Sequence, residues 1–338
     1  MNIGSHYKLY HFIPWTRMKI YKMLILSVIP TVLFYFMGWK WLAIPWVPVA
    51  LLGTAAAFIS GFKNTQTYNR SWEARQIYGA IINNSRSLGI LVRDFIRMDD
   101  KVQEQAVHQQ IIYRHFAWLT ALRFQLRETK SWEHVKTKSY NKEFLRYYEV
   151  PEWKGKLDEE LMHFLSDDEL RYVLSTKNRA TQIIALQSAQ LRELNEAGKI
   201  SAYNYTALET QFKELYDQQG KCERIKNFPY PRQFSSINLY FTNALCILLP
   251  LGFLGEFSKM IEKFGEPIVW LTVPFSILLG WVFLVLEQIG ESTENPFEGN
   301  ANDIPITQIS RNIEIDLREM LGEKELPPAI QPVNNIVM

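Results

Sequence analysis

The chain has 338 residues, enough for two or three ordinary domains and a sizeable core. Its 37 Lys and Arg against 35 Asp and Glu leave a formal net charge of +2, which argues against nucleic acid or a strongly acidic partner. The totals do not reveal where the chain resides, but the distribution of charge does.

In chain order, Lys8, Arg17, Lys19 and Lys22 lead into residues 23–39, which contain no Asp, Glu, Lys or Arg. This run is short for a span and contains Pro30, as a buried or tilted helix would. Basic residues ahead of an apolar run also resemble a secretion signal. No small-residue cleavage site follows, however, and a second apolar run begins at once, so the segment is read as a membrane span. Residues 41–62, 233–255 and 267–286 are equally free of charge and approach or exceed the ~20 residues that a helix needs to cross the hydrocarbon core.

Lys63, Arg70, Arg75 and Arg86 follow the second span, whereas only Lys40 lies between the first and second. By the positive-inside rule both termini and the polar segment 63–232 are cytoplasmic, in a multi-pass protein of the plasma membrane. Four units result: residues 1–62 with the first two spans, a cytoplasmic helical region at 63–232, the third and fourth spans at 233–286, and a cytoplasmic loop, short helix and tail at 287–338. Cys222 and Cys246 fall in different compartments, so no disulfide is expected and each is read as a packing residue.

Within 63–232 apolar residues recur at helical spacing: Leu88, Leu91, Val92 and Phe95, then Ile112, Phe116 and Leu119, then Leu208, Phe212 and Leu215. The intervening positions are polar, so these helices bury one face in a bundle. Residues 128–160 read as a surface excursion with Pro151 and Gly155. Ser166 and Glu169 form a capping-box pattern ahead of Leu170, Val173 and Leu174. Pro229 and Pro231 force a non-helical approach to the third span. Beyond the fourth, Asn295, Pro296, Gly299 and Pro305 make a loop, residues 313–321 a last short helix, and the chain from Pro327 a flexible or docking tail.

Catalytic chemistry has no visible support. The six histidines stand in no HExxH or Cys/His ligand pattern, and P-loop, GxSxG and GxGxxG motifs are absent. His108 and His115 read as a packed or solvated pair on one helix. Asp99 and Asp100, like Asp158 to Glu160, lack calcium-loop spacing. No enzyme and no metal site are expected.

The second span is more informative. From Leu51 it reads LLGTAAAFISGFKNTQTYNRSWEAR, in which Gly53, Ala55, Ala56, Ala57, Ser60 and Gly61 are small. Such residues let membrane helices approach closely. Thr54, Phe58 and Phe62 recur at intervals of four over about 12 Å. Around a symmetry axis they would stack into a hydrophobic neck, while in isolation an aromatic stripe at this spacing more often packs in a core or against lipid. The polar Asn64, Thr65, Thr67 and Asn69 would line a wet vestibule beneath it.

Three further pieces of sequence carry a family resemblance. Gly61-Phe62 is followed by Arg70-Ser71-Trp72, the run GKCERI containing Cys222, Glu223 and Arg224 leads to Pro229-Tyr230-Pro231, and Asn295-Pro296-Phe297 after Glu294 is followed by Asn302-Asp303-Ile304-Pro305. In this order and spacing the chain resembles the bestrophin family, specifically its prokaryotic branch. The resemblance implies an all-α membrane protein in which a pentameric ring of identical subunits surrounds one pore. It places a neck at Thr54, Phe58 and Phe62, and a second constriction, the aperture, near Ile200 or Tyr203. It also implies the bacterial inner membrane.

Thr54 departs from the three bulky apolar residues of vertebrate members. Vertebrate members also follow the NPF motif with an acidic calcium clasp, whereas here only Glu298 and Asp303 supply carboxylates, so no calcium or other cofactor is expected. The expected function is passive anion conduction, with Phe58 and Phe62 turning their positive ring edges toward the anion and Thr54 adding a hydroxyl proton. Monovalent cation conduction through the same architecture and a non-conducting membrane scaffold are the alternatives. A secondary transporter is disfavoured by the lack of internal repeats and of an ionisable midplane site.

Overall fold

The computed structural model describes residues 1–4 and 6–338. Apart from two isolated β-bridges, the described residues are helical or irregular. Helix α1 (Leu9–Met37) ends at Gly38, whose φ of 70° suits a left-handed helix cap. A 3₁₀ turn, Lys40–Leu42, leads to α2 (Trp46–Phe95). The helices α3 (Lys101–Arg127), α4 (Ser139–Phe144), α5 (Pro151–Lys154), α6 (Leu157–Leu161), α7 (Asp167–Ser175), α8 (Arg179–Glu196) and α9 (Ala202–Asn227) follow. Next come α10 (Arg232–Ser258), the short α11 (Ile261–Phe264), a 3₁₀ turn at Glu266–Leu271, α12 (Thr272–Ser292) and α13 (Ile306–Met320).

Four helical segments are long and apolar enough to cross a membrane: Leu9–Met37, Lys40–Phe95, Arg232–Ser258 and Glu266–Ser292. They agree with the four expected spans. One apolar cluster of Met23, Val49, Ala56, Leu245, Cys246, Leu249 and Leu284 joins them. A smaller one of Phe34, Leu42, Leu254 and Val269 closes the far end. There Trp39 stacks on Trp41 and Trp270 lies against Tyr35 and Phe36, an aromatic girdle of the kind found at a membrane–water boundary.

The boundary expected at 62/63 falls inside a continuous helix. After Pro48 the sequence offers α2 no proline, and the charged residues from Lys63 onward are good helix formers, so nothing stops it. Its 50 residues extend about 75 Å, against a hydrocarbon core of about 30 Å. More than half of α2 therefore stands outside the membrane and forms the spine of the polar half. The largest apolar cluster lies there, with Ile77, Leu88, Trp118, Phe116, Phe212, Leu215 and Leu317 among its members. The other expected boundary, at 286/287, likewise precedes the end of α12 at Ser292.

Local expectations are met in detail at several points. Ser166 and Glu169 form a reciprocal capping box at the start of α7. His108 and His115 are buried, with Nε2 of each in hydrogen bonds to the Ile96 carbonyl and the Ser85 hydroxyl. Burial holds His115 down at about 3, hence neutral. Both cysteines are free and buried. Residues 128–160 fold into short helices. The last helix begins at Ile306 rather than 313, because Ile306, Ile309, Ile313 and Leu317 form one buried stripe. The tail docks: Val337 N–H donates to the Met1 carbonyl, Gln308 N–H to the Met338 carbonyl, and Ile336 and Met338 join Tyr148, Val150 and Ala301 in a small apolar cluster.

The tightest approach in the membrane half is between α10 and the chain just before α2. A Cβ on Gly255 would lie 2.1 Å from the Ile44 carbonyl oxygen, a backbone atom that cannot step aside. Gly255→Ala is expected to cost roughly 1–3 kcal/mol. Gly220→Ala, on open space in α9, should be neutral or stabilising by up to about 1 kcal/mol. Thermal unfolding midpoints in detergent check the contrast.

Candidate functional site

One face of α2 is fastened by polar contacts at helical spacing. The Ser60 hydroxyl donates to Asn238 Oδ1 of α10 at 2.7 Å, Lys63 lies against Glu287 of α12, and the Thr293 and Thr67 hydroxyls meet at 3.0 Å. One turn further on, Arg70 Nε donates to the Glu294 carbonyl at 3.0 Å, and its Nη2 donates to the carbonyls of Ile225 and Phe228 at 2.9 and 2.8 Å. The Ser71 hydroxyl reaches the Thr293 carbonyl at 3.2 Å. Positions 60, 63, 67, 70 and 71 follow the helical period, so they form one seam from the membrane into the polar half.

The opposite face of the same helix is open. Thr54 is exposed, Phe58 is 77% exposed and Phe62 is 44% exposed, its ring lying 5.9 Å from that of Phe234 between centroids. A Cβ on Gly61 would meet nothing within 4 Å. The stripe is therefore not part of the subunit core. Thr65 and Asn69 continue it, whereas Thr67 is buried on the seam and Asn64 is half-buried beside Gly290, so only two of the four expected vestibule residues lie on the open face. The expectation for the Thr54 proton also needs correction. Its hydroxyl donates to the Ala50 carbonyl at 3.0 Å, the usual fate of a helical threonine in apolar surroundings, and has no proton left for an anion.

Of the two aperture candidates, Ile200 is 5% exposed and packs inside the polar-half core, which removes its side chain from any opening. Tyr203, in the first turn of α9, is 78% exposed.

Arg70 links the three family-motif segments through the carbonyls of Ile225, Phe228 and Glu294. Cys222 is fully buried, and burial pushes its thiol above the usual range, so it packs rather than reacts. Glu223 accepts from Gln125, Asn178 and Gln219, and Arg224 pairs with Glu73 of α2. Trp72 is half exposed and stacks on Tyr68. Asn295, Pro296 and Phe297 are buried, with the Phe297 ring 5.9 Å from Tyr78. Asp303 Oδ2 accepts from the N–H groups of Gly299 and Asn300 at 2.7 and 3.0 Å and lies 3.5 Å from Arg127 Nη1. Pro305 caps α13.

Burial raises the Asp303 and Glu298 carboxyls, and the Asp303 charge raises Glu298 further, while Arg127 draws Asp303 back. Glu298 accepts from the His134 N–H at 2.9 Å.

Sequence reasoning missed the buried charges. Lys63 was assigned to the positive-inside flank, yet it is 1% exposed. Arg127, Glu152 and Glu287 are buried as well. The polar spacing at 60, 63, 67 and 70 was the available signal, visible only once the helix is allowed to run past residue 62.

Known proteins resemble this chain over most of its length. Residues 14–319 match the family described as Bacterial/Fungal Bestrophin protein. The voltage-dependent anion channel-forming protein YneE of Escherichia coli is 28% identical over 286 residues, covering 84% of this chain and 80% of that protein. A protein of the same description from Ralstonia nicotianae is 25% identical over 279 residues, covering 82% and 78%. Among solved structures, a bacterial bestrophin homologue from Klebsiella pneumoniae shares the fold with a TM-score of 0.74 at 23% identity, over 91% of this chain and 99% of that one.

Arg70 is the rivet of the joint, and Arg70→Met leaves three carbonyl acceptors without their donor. A loss of roughly 2–5 kcal/mol is expected. Arg70→Lys should recover only part of it, since an ammonium cannot span the same fork. Glu298→Gln, which keeps an acceptor for His134 and removes a disfavoured buried charge, should be neutral or stabilising. Thermal unfolding of the purified protein ranks the three.

Proposed function

The chain belongs to the bacterial and fungal bestrophin family, and from that premise we propose that it is a passive anion channel, formed by a ring of identical subunits around a pore lined by the open face of α2. It is not an enzyme. The observation that carries the reading is the two-sidedness of α2: its back is fastened by Ser60, Lys63, Thr67 and Arg70, while Phe58 and Phe62 stay exposed on the opposite face. An aromatic stripe facing lipid alone would not need a polar seam behind it. The relatives named as voltage-dependent anion channel-forming proteins supply the sign of the ion.

Five subunits is the count that the family resemblance implies. Thr54, Phe58 and Phe62 form the neck, and Tyr203 is left as the aperture candidate. Both termini and the polar half face the cytoplasm of a bacterial inner membrane, the side to which Arg17, Lys19, Lys22 and Lys63 point by the positive-inside rule. Calcium has no part in this reading, because Arg127 already balances Asp303.

Currents from purified protein in planar bilayers test the function. The reversal potential in a potassium chloride gradient should lie toward the chloride equilibrium value; a value near the potassium equilibrium would overturn anion preference, and no unitary current would favour a scaffold. Mass measurement in detergent should give a closed oligomer, and a stable monomer would sink the pore. Phe58→Ala and Phe62→Ala should raise conductance or open probability, since bulky apolar rings gate by excluding water. Because Phe58 is outside the subunit core, its truncation should cost far less than the roughly 3–5 kcal/mol of a core phenylalanine.

A further inference from the structure

No charged side chain lies on the open face at Thr54, Phe58 or Phe62, and the Thr54 proton is taken by Ala50, so neck residues alone give a weak preference between ions. Immediately behind Phe62 the situation differs. Lys63 is 1% exposed, its Nζ lies 3.7 Å from Glu287 Oε1, and it makes no hydrogen bond. The other Glu287 oxygen lies 3.9 Å from Lys19 Nζ of α1. Among the described residues neither lysine has another carboxylate within ion-pair distance, so two ammonium groups share one carboxylate. Asn64 Oδ1 is buried beside them without a partner. Gly290 makes the room: a Cβ there would lie 2.5 Å from Asn64 Oδ1 and 3.3 Å from the Lys63 stem.

This arrangement is poor as a stability device. Burying an ammonium is costly, and a carboxylate beyond hydrogen-bond distance and shared with a second cation recovers little of that cost. As an electrostatic device it is well placed. An α-helix with its side chains is about 10–12 Å across, so the Lys63 charge sits on the order of 10 Å from the face that carries Phe62. Protein rather than salt solution fills the intervening space, so the field is weakly screened. A cation held there never touches the permeating ion and cannot trap it.

We propose that the buried cluster of Lys63, Lys19 and Glu287, with its net positive charge in every subunit, is the determinant of anion preference in this pore. This inference rests on the channel reading above. Repeated around a ring, the cluster makes a positive annulus at the lower rim of the neck, favouring anions by a fixed potential rather than by contact.

The test uses the full-length channel in planar bilayers with reversal potentials in a potassium chloride gradient. Lys63→Gln should lower the chloride-to-potassium permeability ratio by about threefold or more, and Lys19→Gln should lower it in the same direction. Glu287→Gln should raise it, and Lys63→Arg should preserve it. A merely structural role would alter assembly or current amplitude and leave the reversal potential in place. Lys63→Gln or Glu287→Gln channels that conduct with an unchanged reversal potential overturn the proposal. Should Lys63→Gln fail to assemble, the opposite shift expected of Glu287→Gln decides the matter. A wild-type channel that prefers cations or passes no current overturns the channel reading itself, which separates the two failures.

Discussion

The structure depends on keeping one long helix two-faced. Hydrophobic burial alone would not orient α2 in a membrane, because lipid and protein are equally apolar there. Polar contacts do, since an unsatisfied hydroxyl or amide in hydrocarbon costs more than any difference in packing. Ser60 on Asn238 sets the rotation inside the bilayer, and Arg70 sets it where the helix leaves. The freedom of Phe58 and Phe62 is a consequence of that fixation. A helix that could roll would bury its phenylalanines against α10 and expose its serine.

The same helix couples the membrane half to the polar half. Arg70 gathers the end of α9 and the loop after α12, while Asp303 ties that loop to Arg127 on α3. Buried charge pairs of this kind contribute little net stability compared with an apolar filling, but each tolerates only a narrow geometry. The joint therefore fixes the angle between α9, α12 and α2 more than it strengthens their association. The helix that carries Tyr203 at its start is held to α2 at its far end, where Arg70 binds the carbonyls of Ile225 and Phe228.

Much of this was legible in the sequence. Charge-free runs located all four spans, and proline placed the break before Arg232, because both signals are local and have few competing explanations. The stripe of Thr54, Phe58 and Phe62 was legible as a pattern, but its exposure was not: periodicity cannot distinguish a face that packs inward from one that awaits a neighbour. The 62/63 boundary failed because polarity changed where secondary structure did not. The buried charges failed for a related reason. A lysine at the edge of a span reads as solvated, and its burial depends on Gly290, 227 residues downstream, being small.

The small residues of α2 complete the argument. Within one subunit Ala57 and Gly61 are exposed, and a side chain on Gly61 would meet nothing, so their size serves no intramolecular contact. In hydrocarbon a bare strip of small residues flanked by phenylalanines is a poor lipid surface, since acyl chains cannot fill the notches between the rings. A second helix can, and small residues are what allow two backbones to close to within packing distance. If Phe58 and Phe62 face an axis, Ala57 and Gly61, one position away on the helix, face sideways toward the adjacent subunit. Pore and interface are then adjacent strips of a single helix, held in register by the seam on its third side, and a substitution on any of the three strips acts on the other two.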